Sequence, residues 1–122
     1  MSTPKNLTVL PSHEAFEAML RPRRATEDDI NAVYAPWVCV MFSAKWCGPC
    51  RRLNKPAIAA TVPGCMFYTC DVDENQTSLG YAGMQSIPAF ILIKDGTFKD
   101  RKAGAGSDAE VVEWLKSNGV PV

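Results

Sequence analysis

Apolar runs along the chain predict the strands of a buried sheet. The run at 38–42 is uninterrupted, as expected of a central strand covered on both faces. Runs at 66–70 and 89–93 predict two more strands, and a shorter run at 7–10 predicts a fourth. An Asp-Gly pair just after the last run is typical of a tight hairpin, so we expect residues 98–101 to return antiparallel.

Between these runs, apolar side chains recur at helical spacing behind residues that can cap a helix. Ser107, with Glu110 three positions later, forms a capping-box pattern, and Asn118-Gly119 is typical of a helix end. Pro56 lies inside the third helical stretch, where we expect it to kink the helix. The predicted helices lie at 12–20, 26–34, 53–60, 79–84 and 107–118.

The order of these elements predicts the fold class. Strands and helices alternate up to a final hairpin and helix, which indicates an α/β fold with a central mixed β-sheet flanked by helices on both faces. The length of 122 residues suits a single domain spanning 1–122. Hydrophobic residues make up 47% of the chain, which is typical of a globular protein with a real core.

Charge and composition exclude several function classes. Thirteen basic and thirteen acidic residues cancel, so no charge excess points to nucleic acid or to an anionic membrane. The first residues lack the apolar run of a signal peptide, and no apolar stretch is long enough to span a bilayer. Five cysteines are an odd number, which argues against a complete disulfide framework. We therefore expect a cytoplasmic protein, in a compartment that keeps thiols reduced.

The stretch SAKWCGPCR at 43–51 carries the candidate chemistry, because Cys47 and Cys50 stand there in a CxxC spacing. A structural zinc site needs four ligands, but His13 is the sole histidine and no second CxxC exists, so we expect no metal. A purely structural disulfide would close a very small loop, which removes little entropy from the unfolded chain. The interpretation that remains is a redox-active dithiol.

The position of the pair after a strand and at the start of a helix supports this interpretation. Cys47 would meet the free N–H groups of the helix start, which favour thiolate over thiol. Pro49 has no N–H to lose in a first helical turn, and Gly48 lets another chain approach closely. Cys50 lies one turn further on, so Cys47 can attack a partner disulfide and Cys50 can resolve the mixed disulfide. This mechanism requires that solvent can reach Cys47.

The pentapeptide WCGPC at 46–50, directly after an apolar strand, resembles the active-site motif of the thioredoxin family. The resemblance continues through Asp71-Val72-Asp73, Ile87-Pro88 before FILI, the Asp95-Gly96 hairpin and Gly104. It implies the thioredoxin fold and a protein disulfide reductase that needs no prosthetic group. The partners it implies are thioredoxin reductase or another dithiol electron donor, and disulfide-containing proteins such as peroxidases. It also implies a monomer.

The resemblance assigns roles to particular residues. It implies that Cys47 is the nucleophile and that Cys50 is the resolving thiol, with the indole of Trp46 beside them. It further implies a cis peptide bond at Pro88 and a backbone at Ile87 that pairs with an extended substrate. The implied substrate-binding residues are Trp46, Gly48, Pro49, Ile87, Pro88, Gly104 and Ala105.

The chain also departs from the family pattern. Met41 stands where thioredoxins usually carry a buried Asp, and Thr69 stands where a charged partner of that Asp is often found. Cys50 must then use a water molecule or another base. Ser43 replaces a frequent Trp, and Pro56 follows Cys50 by six residues instead of the usual five.

Three cysteines lie outside the motif. We expect Cys39 to pack in the core as a small hydrophobe, and Cys65, after Pro63-Gly64, to be the exposed thiol of the three. Cys65 and Cys70 cannot bridge each other within a strand, because five extended residues span about 16 Å.

Two other functions remain open at this point. One is a redox-poor binding or scaffolding module that keeps the fold, which Met41 and Ser43 favour and the intact motif opposes. The other is a specialised oxidoreductase similar to tryparedoxins or disulfide isomerases. The reduction potential of the cysteine pair distinguishes these enzymes from a general reductant.

Overall fold

The computed structural model describes residues 4–20 and 37–122. Within these residues one five-stranded sheet forms from β1 (Leu7–Val9), β2 (Trp37–Ser43), β3 (Cys65–Asp71), β4 (Ala89–Lys94) and β5 (Thr97–Ala103). The strand order in the sheet is β1-β3-β2-β4-β5.

The sheet is mixed, as the element order predicts. β3 lies between β1 and β2 and runs parallel to both, whereas β4 runs antiparallel to β2 and β5 antiparallel to β4. β2 is therefore the central strand, and all its residues except Val38 are buried. The uninterrupted apolar run at 38–42 is explained by this position, because neither face of the strand meets water.

The hairpin between β4 and β5 is confirmed. Asp95 and Gly96 have φ angles of 52° and 77°, so both central residues of the turn are left-handed. This is the backbone of a two-residue turn that matches the twist of the strands, and Asp-Gly is a preferred sequence for it.

Helices cover the sheet. They are α1 (His13–Met19), α2 (Gly48–Arg51), α3 (Lys55–Thr61), α4 (Gln76–Tyr81) and α5 (Asp108–Ser117). α1 packs with α4, and α3 packs with α5. The predicted helix at 26–34 lies outside the described residues. In the part of the chain that the structure describes, no helix has the length and apolar character needed to cross a membrane.

The helix starts follow the predicted caps. Ser12 caps α1 and accepts from the Ala15 N–H at 3.1 Å, and Ser107 caps α5 and accepts from the Glu110 N–H at 3.2 Å. The capping box of α5 differs in one respect. The Glu110 carboxylate accepts from the Gly106 N–H, at 3.2 Å, and not from the N–H of the cap residue.

The prediction of one helix kinked at Pro56 is wrong. The chain forms two separate helices here: α2 ends at Arg51, and α3 begins at Lys55. The Asn54 side chain accepts from the Ala57 N–H at 3.0 Å and so caps a new helix. Pro56 therefore lies in the first turn of α3, where its missing N–H would have no helical partner.

The prediction that Cys65 is exposed is also wrong. Cys65 is the first residue of β3, opposite Trp37, and none of its surface is exposed. Its carbonyl accepts from the side-chain amide of Asn6 at 2.9 Å, so the amino-terminal segment covers it. Burial raises the pKa of the Cys65 thiol to about 12.

The other two cysteines outside the motif are free and buried. Cys39 lies in the core, as predicted, and burial, followed by the neighbouring Cys65, holds its pKa well above the usual value. Burial is also the main reason that the pKa of Cys70 is raised to about 11, and the nearby Asp71 and Glu74 add to it. The prediction that Cys65 and Cys70 do not bridge each other is confirmed.

Candidate active site

The sheet topology gathers the predicted site residues at one edge. Because β4 runs antiparallel to β2, the start of β4 lies beside the end of β2, and Phe42 is opposite Ala89. Ala89 is in turn opposite Ala103 at the end of β5. The CxxC motif after β2, Pro88 before β4 and Gly104 after β5 therefore share this edge.

Cys47 and Cys50 form a disulfide, and their Cα atoms are 5.3 Å apart. Cys47 is the N-cap of α2, and its Sγ accepts from the Cys50 N–H at 3.3 Å. Pro49 lies in the first turn, as predicted. Because α2 has only four residues, the stabilisation of negative charge at Cys47 comes from this nearby N–H and not from the dipole of a long helix.

The disulfide lies at a surface but is itself well covered. Cys47 is 4% exposed and Cys50 is 2% exposed. Solvent therefore reaches only a small part of Cys47 in the oxidised protein. Trp46, Gly48 and Pro49 around it are exposed. A partner must therefore approach the sulfur closely over this rim, and the absence of a side chain at Gly48 allows it.

The Trp46 indole is held in place at the rim. It is 67% exposed, and its Nε1–H donates to Asp73 Oδ2 at 3.0 Å. The N–H of Asp73 donates to Asp71 Oδ1 at 2.8 Å, which fixes the turn after β3. Asp73 is a site residue that the sequence motifs miss, and the signal for it is an acidic turn directly after a strand that ends at this edge of the sheet.

A groove of about 520 Å³ lies beside the indole, and both Trp46 and Ile87 line it. The Ile87–Pro88 peptide bond is cis, as the resemblance implied. The Pro88 carbonyl accepts from the Gly104 N–H at 2.7 Å, so the two loops are directly joined. Gly104 has a φ of +78°, which favours glycine, and Ala105 after it is half-buried.

Met41 and Thr69 lie directly opposite each other in β2 and β3. Met41 has no exposed surface, and β2 carries no carboxylate. Below the motif, Lys55 Nζ donates to Ser43 Oγ at 3.3 Å. Ser43, Lys55 and Thr69 border an open cavity of about 730 Å³, called here the Cys50 cleft. The cleft is lined by Val9, Ser43, Ala44, Lys45, Cys50, Arg51, Lys55, Thr69, Asp71 and Glu74.

The described residues hold no cluster of three His, Cys, Asp or Glu side chains that could bind a metal ion. His13 has other partners, because its ring nitrogens lie 2.9 Å from Ser78 Oγ and 2.8 Å from Glu17 Oε1. It therefore connects α1 to α4, far along the chain from the CxxC motif.

Comparisons with known proteins identify the family of this chain. A family model described as Thioredoxin matches residues 22–117. The chain is 41% identical to Thioredoxin H-type 1 of Nicotiana tabacum over 69% of this chain and 68% of that protein. It is 37% identical to a Thioredoxin H-type of Oryza sativa subsp. indica over 58% of this chain, and that match spans 60% of the rice protein.

A solved structure, that of Fasciola hepatica thioredoxin, superposes with a TM-score of 0.68 at 29% identity, over 91% of this chain and 98% of that one. The mixed sheet with flanking helices is thus the thioredoxin fold. With its CxxC disulfide, the chain belongs to the thioredoxin family, whose members are thiol–disulfide oxidoreductases.

Proposed function

We propose that this chain is a general protein disulfide reductase. The observation that carries the proposal is the Cys47–Cys50 disulfide at an exposed rim, with the Cys50 N–H directed at Cys47 Sγ. In the reduced protein this N–H stabilises the Cys47 thiolate, which makes Cys47 the nucleophile. Cys50, which lies one turn further along inside α2, is the resolving thiol.

The exchange has two balanced steps. The Cys47 thiolate attacks one sulfur of a substrate disulfide, a mixed disulfide forms, and the second substrate sulfur leaves as a thiolate. The Cys50 thiolate then attacks Cys47 Sγ, and the first substrate sulfur leaves. Two electrons pass to the substrate, and the oxidised pair seen here remains. The reaction needs no prosthetic group.

A dithiol donor must then reopen the Cys47–Cys50 disulfide, and we propose thioredoxin reductase or another dithiol electron donor for this role. The substrates we propose are disulfide-containing proteins such as peroxidases. The relatives' names support this class of partner, since they are thioredoxins.

The substrate-binding rim that we propose combines the backbone at Ile87 with contacts from the loops around it. The backbone at Ile87 pairs with an extended substrate segment, which the position of Ile87 in the groove beside Trp46 supports. The loops on either side of this segment supply the remaining contacts. These contacts come from Gly48, Pro49, Pro88, Gly104 and Ala105.

We also propose that the chain acts as a monomeric single domain over 1–122 in the cytoplasm. The pairing of β1 with β3 supports one domain, because it ties the amino-terminal segment into the sheet. The odd number of cysteines, five, supports a reducing compartment, because it argues against a complete disulfide framework.

Reduction of insulin by dithiothreitol tests the function. The wild-type protein should accelerate it, Cys47→Ser should abolish the acceleration, and Cys50→Ser should trap a mixed disulfide visible by mass spectrometry. Cys70→Ser is the matched control, because it removes a thiol outside the motif.

A wild-type protein that fails to accelerate the reaction would instead be a binding or scaffolding module. A reduction potential near that of disulfide isomerases, about −180 mV, would indicate the specialised oxidoreductase.

A further inference from the structure

The Cys50 cleft contains a cation that is tethered to a buried serine. We propose that Lys55, held by Ser43, positions a positive charge that favours the Cys50 thiolate in the second step of the exchange. The inference rests on the proposed function, in which Cys50 resolves the mixed disulfide. It makes Lys55 a positioning residue that acts through the electrostatic environment of Cys50.

The second step has a physical difficulty that this charge relieves. Only a thiolate can attack the mixed disulfide, yet Cys50 is 2% exposed, and burial disfavours the charged form of a thiol. The neighbouring strands offer no compensation, because Met41 and Thr69 stand opposite each other and neither can carry a charge. A compensating charge must therefore come from the cleft.

The cleft presents five charged side chains, and their surroundings differ. Lys45 and Arg51 are exposed cations, so solvent and salt screen them. Glu74 and Asp71 are acidic and cannot supply a positive charge. Glu74 is exposed, and the half-buried Asp71 accepts a hydrogen bond from the Asp73 N–H. Lys55 is half-buried, and among the cleft's three cations it is the one bonded to a buried side chain.

Both ends of the Lys55–Ser43 hydrogen bond are fixed by the fold. Ser43 ends β2 with 6% exposure, and its carbonyl accepts from the Val72 N–H at 2.9 Å. Lys55 is the first residue of α3, directly after the Asn54 cap. The Asn54 N–H donates to Asp108 Oδ1 at 2.8 Å, which anchors the start of α3 to the start of α5. The ammonium group is therefore held on the wall of the cleft that Cys50 also lines.

The chemistry assigned to Lys55 leaves its own proton in place. Cys50 loses its proton to water, which the open cleft admits, and the ammonium charge stabilises the resulting thiolate. The thiolate then attacks Cys47 Sγ and the substrate sulfur departs. Ser43 contributes by accepting a hydrogen bond, which the Trp that is frequent at this position could not do.

The test separates the two steps with 5,5′-dithiobis(2-nitrobenzoate). Attack by Cys47 on this reagent releases one coloured thiolate, and displacement by Cys50 releases the second. We expect Lys55→Gln to leave the first phase unchanged. We expect the pH midpoint of the second phase to rise by about half a unit, which slows that phase about threefold near neutral pH. Lys55→Arg should restore the wild-type profile.

Two further variants examine the tether. Ser43→Ala removes the acceptor of the Lys55 hydrogen bond and keeps the lysine, so we expect it to shift the second phase in the same direction by a smaller amount. In a Lys55→Gln background the Ser43→Ala change should have no further effect, because the two residues act as one unit. Lys116→Gln removes a cation that pairs with Glu113 on α5, outside the cleft, and should change neither phase.

Three results would overturn the inference. One is an unchanged second-phase pH profile in Lys55→Gln, and another is an equal shift in Lys116→Gln. The third is full additivity of the Ser43 and Lys55 changes. If Lys55→Gln does not fold, as judged by circular dichroism, an unchanged profile in Ser43→Ala overturns it alone. If the wild-type protein releases only one equivalent, or Cys50→Ser still releases two, the proposed function itself fails.

Discussion

Replacing Met41 by Asp tests whether the centre of β2 excludes water as completely as the structure shows. Met41 has no exposed surface and lies between Thr69 on β3 and Phe90 on β4. An aspartate here would lose its hydration without gaining a cationic partner on either neighbouring residue. We therefore expect its carboxyl group to remain protonated at pH values where aspartate is normally ionised.

The magnitude follows from linkage between proton binding and folding. An aspartate in the unfolded chain titrates near pH 3.9, and full burial raises the folded-state pKa by about three units or more. The folded state then keeps a proton that the unfolded state has released. Stability therefore falls as the pH rises between these two pKa values, by about 1.4 kcal/mol per unit of pH. Between pH 5 and pH 7 the loss is about 2 kcal/mol, because the raised folded-state pKa lies near the upper end of this range.

Urea unfolding of Met41→Asp and Met41→Asn at pH 5 and pH 7 measures this loss. The asparagine variant has nearly the same shape and cannot ionise, so the difference between the two variants isolates the carboxyl group. Met41→Leu reports the packing of an apolar side chain at the same place. A difference between the aspartate and asparagine variants that is the same at both pH values would refute the reasoning, because the carboxylate would then be hydrated within the fold.

Three further predictions concern the helix break, the thiols outside the motif and the carboxylate of Asp100 on β5. Asn54→Ala should destabilise the protein by about 1 kcal/mol in urea unfolding, because α3 loses its cap. After reduction, iodoacetamide at neutral pH should label Cys47 and leave the buried Cys65 and Cys70 unlabelled, because the pKa values of these two thiols are raised to about 12 and about 11. Equal labelling of the three cysteines in a mass spectrum would contradict this. Desolvation alone would raise the pKa of Asp100, but hydrogen bonds from side chains at the end of α5 lower it below its ordinary value. Its stabilising effect should therefore be present at neutral pH and disappear as the pH falls through this lowered value, so acid should destabilise Asp100→Asn less than the wild type in thermal melts.

The capping residues show which structural features a short stretch of sequence can predict. Ser12 and Ser107 cap their helices as predicted, and Asp95-Gly96 forms the predicted turn. Each of these features depends on a few neighbouring residues, so a short stretch of sequence contains the information. Pro56 shows the limit, because a proline is compatible both with a kinked helix and with the first turn of a new one. The side-chain cap of Asn54 selects the second possibility.

The sequence by itself determined the strands, the hairpin and the chemistry of the CxxC pair, since these follow from residue type and spacing. Only the tertiary structure decided the burial of Cys65, the Trp46–Asp73 hydrogen bond and the tether between Lys55 and Ser43. The bonded pairs are 27 and 12 residues apart along the chain. Their meeting depends on strand register and on where α3 starts. No local sequence pattern predicts such contacts, because the residues meet only when the sheet and its helices pack as a whole.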